Sequence, residues 1–239
     1  MKTEPEKSGY LVCEQKAVYA LLMASGGMMG AYTYVLRGGV FCNAQTANVV
    51  VMAISFGKGE WLAGLYYLIP ITAYLLGAVV SEILPSPVKR LGLLRWDTYL
   101  IIIETAALFF IGLLPLTVPN QIVQVLINFL ASMQYNTFRQ AEGIPMATTF
   151  CTNHIRQVGI GFAKAIRKKD YVAMRRGLIH AGMVASFFLG AMLLTALCGY
   201  WAERAIWLAL APMGIVLFKL IRADLGAEHE RLTQKPSGH

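Results

Sequence analysis

Six long apolar runs limit what this chain can fold into. They cover residues 16–36, 61–84, 96–116, 122–138, 178–200 and 206–221. Most reach the roughly 20 residues that a helix needs to cross a hydrocarbon core about 30 Å thick. Only 14% of the residues are charged, well below the share in a soluble globular domain. The sequence therefore predicts an all-α, polytopic membrane protein with about six transmembrane helices.

The basic residues predict the orientation of these helices. Residues 156–176 contain seven Lys or Arg and residues 89–95 contain three, whereas residues 116–121 contain none. The positive-inside rule then places both termini and the two basic links in the cytoplasm, as in a multi-pass protein of a cell membrane. The net charge of +8 follows from this bias. An anionic-lipid or nucleic-acid partner is the alternative interpretation; we favour loops facing the inner leaflet and expect no nucleic-acid partner.

The chain contains no linker, so residues 1–239 are expected to form one membrane domain with a polar cytoplasmic tail at 223–239. The polar amino terminus and the lack of a cleavage pattern predict that the first span is retained. The cysteines have no CxxC spacing, which argues against a disulfide framework or a zinc site. We expect no metal and no cofactor.

Two polar interruptions, residues 38–48 and 143–154, break the apolar pattern. Gly38-Gly39 and Gly143-Ile-Pro end the preceding spans, because Gly tolerates left-handed backbone and Pro cannot continue a helix. The short segments that follow, 44–56 and 149–166, are predicted as broken or re-entrant half-helices. Their expected N-caps are Asn43 or Thr46 in the first, and Thr148 or Thr149 in the second.

The two halves of the chain have similar layouts. A shift of 106 residues superposes Thr46 on Thr152, Phe56 on Phe162 and Lys58 on Lys164. Each half has a span, a break, a short segment and two more spans, so residues 15–116 and 118–222 form two three-helix repeats. An odd number of spans per repeat requires opposite orientations. The positive ends of both half-helices would then face one polar centre, which favours anions or electronegative oxygens.

Three motifs resemble a known family. They are Phe-x-Asn-x-x-Thr-x-Asn at 41–48, Met-Gln-Tyr-Asn-x-x-Arg at 133–139 and Thr-Thr-x-x-Thr at 148–152. Together they resemble the YoaK-like family of bacterial membrane proteins of unknown function, over residues 19–220. The resemblance implies an integral membrane protein with about six spans and implies no established substrate.

Polar residues in and near the breaks are the candidate solute-binding groups. Their alternative roles are capping for those in the breaks and interhelical hydrogen bonding for those in the fourth span. Arg37 is expected to extend to the outer interface, and Glu82 to sit solvated at the end of its span. The candidates are Asn43, Gln45, Thr46, Asn48, Gln134, Asn136, Arg139, Thr148, Thr149, Thr152, Asn153 and His154.

Glu104 lies near the middle of an apolar run, where an ionised carboxylate is costly. It is a candidate proton-coupling group, and the alternative is a neutral, hydrogen-bonded or Arg-paired structural Glu. For His154, a lining or capping role is favoured over metal binding, because the chain lacks other ligands at suitable spacing.

These features predict a transporter or channel for a small polar or anionic solute. The alternative is a non-transporting membrane scaffold or sensor subunit. An intramembrane enzyme is disfavoured, since the sequence has no HExxH, GxSxG or paired Asp motif. Besides its solute, the expected partner is the lipid bilayer, and a homodimer is compatible with the small size of the bundle.

Overall fold

The structure is a computed structural model that describes residues 9–89 and 92–236. The polar amino terminus at residues 1–8 and Arg90 of the basic link lie outside these residues. The described chain is helical apart from one small hairpin. Its helices are α1 (Lys16–Leu36), α2 (Gln45–Gly57), α3 (Trp61–Tyr66), α4 (Leu68–Ile83), α5 (Pro85–Lys89), α6 (Trp96–Ile111), α7 (Asn120–Thr137), α8 (Thr152–Lys168), α9 (Tyr171–Trp201) and α10 (Leu210–Asp224).

Short 3-10 segments occur at Val12–Glu14, Ala202–Ala209 and His229–Arg231. The hairpin pairs β1 (Gln140–Ala141) with β2 (Ile144–Pro145) in antiparallel register. It lies between α7 and α8, and it therefore forms the beginning of the second polar break.

Both predicted breaks are confirmed as helix ends. After α1 the backbone turns at Gly38 and Gly39, with φ of 85° and 72°, in the left-handed region that L side chains rarely adopt. A Cβ on Gly38 would also lie 2.9 Å from Nε2 of Gln124. In the second break the chain turns through Gly143. The short helices α2 and α8 begin one and three residues later than predicted.

Three of the main helix pairs, α1–α9, α4–α7 and α6–α10, join the first half of the sequence to the second, whereas α8 packs on its neighbour α9. The most extensive interfaces are those of α1 with α9, α4 with α7, and α8 with α9, and α6 packs against α10. Glycines bring α1 and α9 into backbone contact, since a Cβ on Gly27 would clash with the carbonyl of Phe187 and one on Gly190 with that of Ala24. The pairing therefore joins the first and second halves of the chain.

Two helical stretches of the described chain, Trp61–Val88 and Tyr171–Asp224, are long and apolar enough to cross a membrane. Only 22% of the most apolar window of each stretch is buried, whereas the core helix of a soluble protein would be mostly buried. Large side chains such as Leu62 and Phe218 instead point outward, at 85% and 65% exposure. This surface is what lipid-facing helices present. The arrangement of six spans stays a prediction.

Candidate functional site

Both polar breaks contact Gly26 in the middle of α1. The side-chain amide of Asn43 donates to the carbonyl oxygen of Gly26 at 3.1 Å. The backbone of the second break packs against the same residue, because a Cβ on Gly26 would lie 2.7 Å from the carbonyl oxygen of Thr148. Segments about a hundred residues apart in the sequence therefore meet at one glycine of α1.

The side chains of the first break form a closed hydrogen-bond network. Gln45 Nε2 donates to Asn128 Oδ1 of α7 at 2.8 Å, and Asn48 Nδ2 donates to the Phe41 carbonyl at 2.9 Å. Asn48 also donates to Gln45 Oε1 at 3.1 Å. Thr46 lies outside this network and is exposed. The amides of Gln45 and Asn48 thus stabilise the first break itself.

Two further members of this network, Gln124 and Asn128, were not predicted from the sequence. Gln124 Nε2 donates to the Arg37 carbonyl at 2.5 Å, and its Oε1 accepts from the Tyr66 hydroxyl at 2.8 Å. Both residues are fully buried. Their spacing of four residues in an apolar helix, which places two amides on one face, is the signal that would have found them.

The predicted N-caps are wrong. The N-cap positions are Ala44 for α2 and Cys151 for α8, and neither supplies a side-chain hydrogen bond. Asn43 instead bonds to α1, and Thr148 and Thr149 precede α8 by at least three residues. None of these side chains caps the helix that follows; only the Asn43 side chain makes a tertiary hydrogen bond. Thr152, the first residue of α8, is exposed.

The second break contains buried polar groups without a hydrogen-bond partner. The Thr148 and Thr149 hydroxyls are fully buried and have no hydrogen-bond partner among the residues that the structure describes, and the same is true of the side-chain amide of Gln134 in α7. The Tyr74 hydroxyl of α4 interacts with Thr149, without the geometry of a regular hydrogen bond. A buried polar group without a partner destabilises a fold by on the order of 1–3 kcal/mol. These groups are therefore suited to binding a polar molecule that completes their hydrogen bonds.

A cavity of about 280 Å³ adjoins this segment. Three predicted binding residues line it, Asn136, Arg139 and Asn153, together with Tyr135, Pro145, Met146, Ala147 and Phe150. The rings of Tyr135 and Phe150 approach to 4.7 Å between centroids and form an aromatic wall. The cavity thus brings amide and aromatic groups of α7 and α8 and the Arg139 guanidinium next to the second break.

Arg139 is held by partners on α4 and α7. Its Nη2 donates to Glu82 Oε2 at 2.9 Å and to Asn136 Oδ1 at 2.6 Å. Glu82, expected to be solvated, is 70% exposed at its side chain and forms this ion pair. An anion that reaches Arg139 must compete with the Glu82 carboxylate.

His154 forms a buried pair with His180 of α9, a residue that the sequence analysis did not select. His154 Nε2 lies 3.0 Å from the Ala147 carbonyl, which can only accept, so this nitrogen carries the hydrogen. His154 Nδ1 must then accept from His180 Nδ1, 2.9 Å away. The pair connects α8, α9 and the second break. The sequence signal that could have identified His180 is its position as a histidine within the apolar run 178–200.

Glu104 is buried in α6, with 1% of its surface exposed. Neither of its carboxylate oxygens has a hydrogen-bond partner within the described residues. Within the described residues Glu104 is therefore neither hydrogen-bonded nor paired with an Arg, and a proton-coupling group and a neutral structural Glu stay the two predictions.

Arg37 does not extend to an interface, which corrects the prediction from the sequence. Its side chain is fully buried, and it donates to the carbonyls of Leu114 at 2.6 Å and Pro115 at 3.2 Å. The guanidinium also donates to the Tyr32 hydroxyl. The link between α6 and α7 packs over the end of α1, and its carbonyl oxygens accept the hydrogen bonds of Arg37. The sequence next to Arg37 gives no sign of these distant partners.

Glu142 fixes the hairpin that begins the second break. Its backbone N–H donates to the Glu14 carbonyl at 2.9 Å, and its carboxylate pairs with Lys16 of α1. Partial burial opposes ionisation of this carboxyl, but the hydrogen bonds and charge of Lys16 outweigh it and lower the pKa of Glu142. The hairpin is thereby attached to the start of α1.

The family model described as Protein of unknown function (DUF1275) matches residues 18–218. No curated protein and no solved structure matches the chain. The match covers both polar breaks and all the predicted binding residues. The chain therefore belongs to the DUF1275 family, whose function is unknown.

Proposed function

We propose that this protein is a membrane transporter or channel for a small polar or anionic solute. The observation that carries the proposal is the meeting of both polar breaks at Gly26, next to buried Thr148 and Thr149 hydroxyls that have no partner in the described part of the chain. The two breaks are not equivalent in this proposal, because the side-chain amides of the first break already hydrogen-bond to each other and to Asn128 of α7. The solute binds at the second break.

The helix pairing supports two inverted three-helix repeats within a six-span, multi-pass protein. If α1 corresponds to α7, α4 to α9 and α6 to α10, exchanging the repeats turns the α1–α9 interface into the α7–α4 interface. The α6–α10 interface turns into itself. All three interfaces are present, as a two-fold relation between the halves requires. With an odd number of spans per repeat, the two termini lie on the same side, and the basic links favour the cytoplasm as that side.

The break after α9 supports separate crossings by α9 and α10. Ala202 has a φ of 46° and ends α9 abruptly. The 31 residues of α9 extend over about 46 Å, more than a hydrocarbon core needs. With a break at Ala202, the 54-residue apolar stretch Tyr171–Asp224 can supply two spans.

The groups at the second break indicate the class of solute. Hydroxyls such as those of Thr148 and Thr149 can donate to oxygens of a solute, and an amide such as that of Gln134 can both donate and accept. Arg139, at the cavity wall, attracts carboxylates or other anions and is partly neutralised by Glu82. A small solute with several oxygens suits these groups better than a large apolar one.

Uptake into proteoliposomes tests the proposal. The purified chain is reconstituted, and influx of labelled acetate, lactate, glycine, glycerol, phosphate and chloride is compared with influx into protein-free liposomes. We expect at least one solute to enter faster with protein. Saturable, proton-linked uptake indicates a transporter, and large passive flux indicates a channel. A protein that passes none of these solutes, and whose unfolding temperature none of them changes, favours the scaffold or sensor alternative.

If uptake is proton-linked, Glu104 is the first candidate for the coupling group, because its carboxylate is buried and has no partner across residues 9–89 and 92–236. Replacing Glu104 by Gln preserves the volume of the side chain and removes the titration. Uptake by Glu104→Gln is expected to lose its pH dependence.

A further inference from the structure

The helix α8 presents an exposed apolar stripe. His154 and Gly161 lie on the line of α8 that is buried. Beside that line lie Ile155, Phe162 and Ile166, which the helical repeat of 3.6 residues places in one row. They are 59%, 39% and 80% exposed. This row is unused by the packing of α8 against α9.

Next to this row α8 carries an exposed basic stripe, formed by Arg156, Lys164, Arg167 and Lys168. Arg156 and Arg167 each follow an apolar residue of the row, about 100° further around the helix. None of the four forms an ion pair within the residues that the structure describes. Arg156 donates only to the Asn153 side chain, at 2.8 Å. The positive charge continues around the turn with Lys169, Arg175 and Arg176, and the one acid in this region, Asp170, accepts from the Ala173 amide at the start of α9.

The corresponding helix of the first half has no such charge. Between its bounds Gln45–Gly57, α2 contains no Lys or Arg, although it also exposes apolar side chains such as Val50 and Ile54. A short helix after a polar break therefore does not need a basic stripe. The charge on α8 requires an explanation of its own.

We propose that α8 anchors the cytoplasmic face of the protein by binding anionic phospholipids. The apolar stripe enters the boundary between headgroups and acyl chains, and the basic stripe contacts the headgroup phosphates. A helix that carries adjacent apolar and basic stripes suits this position, and each Lys or Arg near an anionic surface adds to the attraction. The proposal rests on the membrane location proposed above and is independent of transport.

Lipid-dependent stability of the full chain in neutral detergent micelles tests this proposal. Phosphatidylglycerol, phosphatidylcholine or inorganic phosphate is titrated in, and the unfolding temperature is recorded. We expect phosphatidylglycerol alone to stabilise the protein. The double variant Arg167→Gln/Lys168→Gln should bind phosphatidylglycerol about 30-fold more weakly, or about 5-fold for each basic residue removed. Lys58→Gln, an exposed lysine after α2, is the matched control and should bind like the wild type.

A second variant distinguishes a lipid from a free anion. Ile166→Asp keeps the basic stripe and places a charge in the apolar one, so it should also weaken binding of phosphatidylglycerol. Equal stabilisation by inorganic phosphate, or unchanged binding of phosphatidylglycerol by either variant of α8, would overturn the proposal. Because the readout is stability, a protein that carries no solute can still pass this test.

Discussion

The side chain of Asn43 and the backbone of Gly26 join the first polar break to the centre of α1, through a hydrogen bond of 3.1 Å. The same glycine receives the backbone of the second break at Thr148. Both the Asn43 side chain and the Thr148 backbone therefore approach Gly26 closely, so this position requires a small residue. One position thus controls how the two breaks approach each other.

Replacing Gly26 by Ala should displace the second break. The added methyl would lie 2.7 Å from the Thr148 carbonyl, a backbone atom that cannot rotate away, and such overpacking destabilises by about 1–3 kcal/mol. Thermal unfolding in detergent measures the effect. Gly182→Ala in α9 is the control, because a Cβ there meets nothing within 4 Å. Equal stability of the two variants would contradict the close contact at Gly26.

Replacing His180 by Phe should leave His154 Nδ1 buried without a donor. The loss of a buried partner destabilises by about 1–3 kcal/mol. His180→Asn retains a donor group and should restore part of that stability. The comparison is made by thermal unfolding at neutral pH. If the Asn and Phe variants were equally stable, the hydrogen bond between the two histidines would not be supported.

Replacing Glu142 by Gln should lower stability in a pH-dependent way. Because Lys16 lowers the pKa of Glu142 below its ordinary value of 4.5 in the folded state, the pair stabilises the fold above about pH 4.5. That contribution is lost as the pH falls through the lowered pKa. The pair is partly exposed, so we expect a difference of at most about 1 kcal/mol at pH 7.

The measurement is the free energy of unfolding of the wild type and of Glu142→Gln at pH 7 and at pH 3. The two proteins should differ at pH 7, and the difference should shrink as the pH is lowered to 3. A difference of the same size at both pH values would show that Glu142 acts through its shape rather than its charge.

The sequence located the breaks well because their signals are local. Gly38-Gly39 and Gly143 impose backbone conformations that end a helix wherever it packs, and α2 and α8 begin within three residues of their predicted positions. The apolar runs predicted the membrane-protein class, which two long exposed apolar stretches support, and the family match covers nearly the same residues as the resemblance.

The contacts of the site could not be predicted in the same way, because they depend on which helices meet. Arg37 was predicted at the outer interface from its place at the end of a span, but the link after α6 covers its side chain and accepts its hydrogen bonds. Asn43 looked like a cap, but the carbonyl that it contacts belongs to α1. His180 gave no local motif, and its role depends on the packing of α8 against α9.

The solute dependence of uptake by a Thr149→Val variant tests the central proposal most directly. Valine keeps the shape of the threonine and removes the unpartnered hydroxyl, and Thr46→Val, at an exposed threonine in α2, is the matched control. With a solute that the wild type carries, we predict that Thr149→Val raises KM by about 5-fold or more, as the loss of one hydrogen bond implies. Thr46→Val should leave KM unchanged. Wild-type KM in a folded Thr149→Val variant would contradict a solute site at the second break.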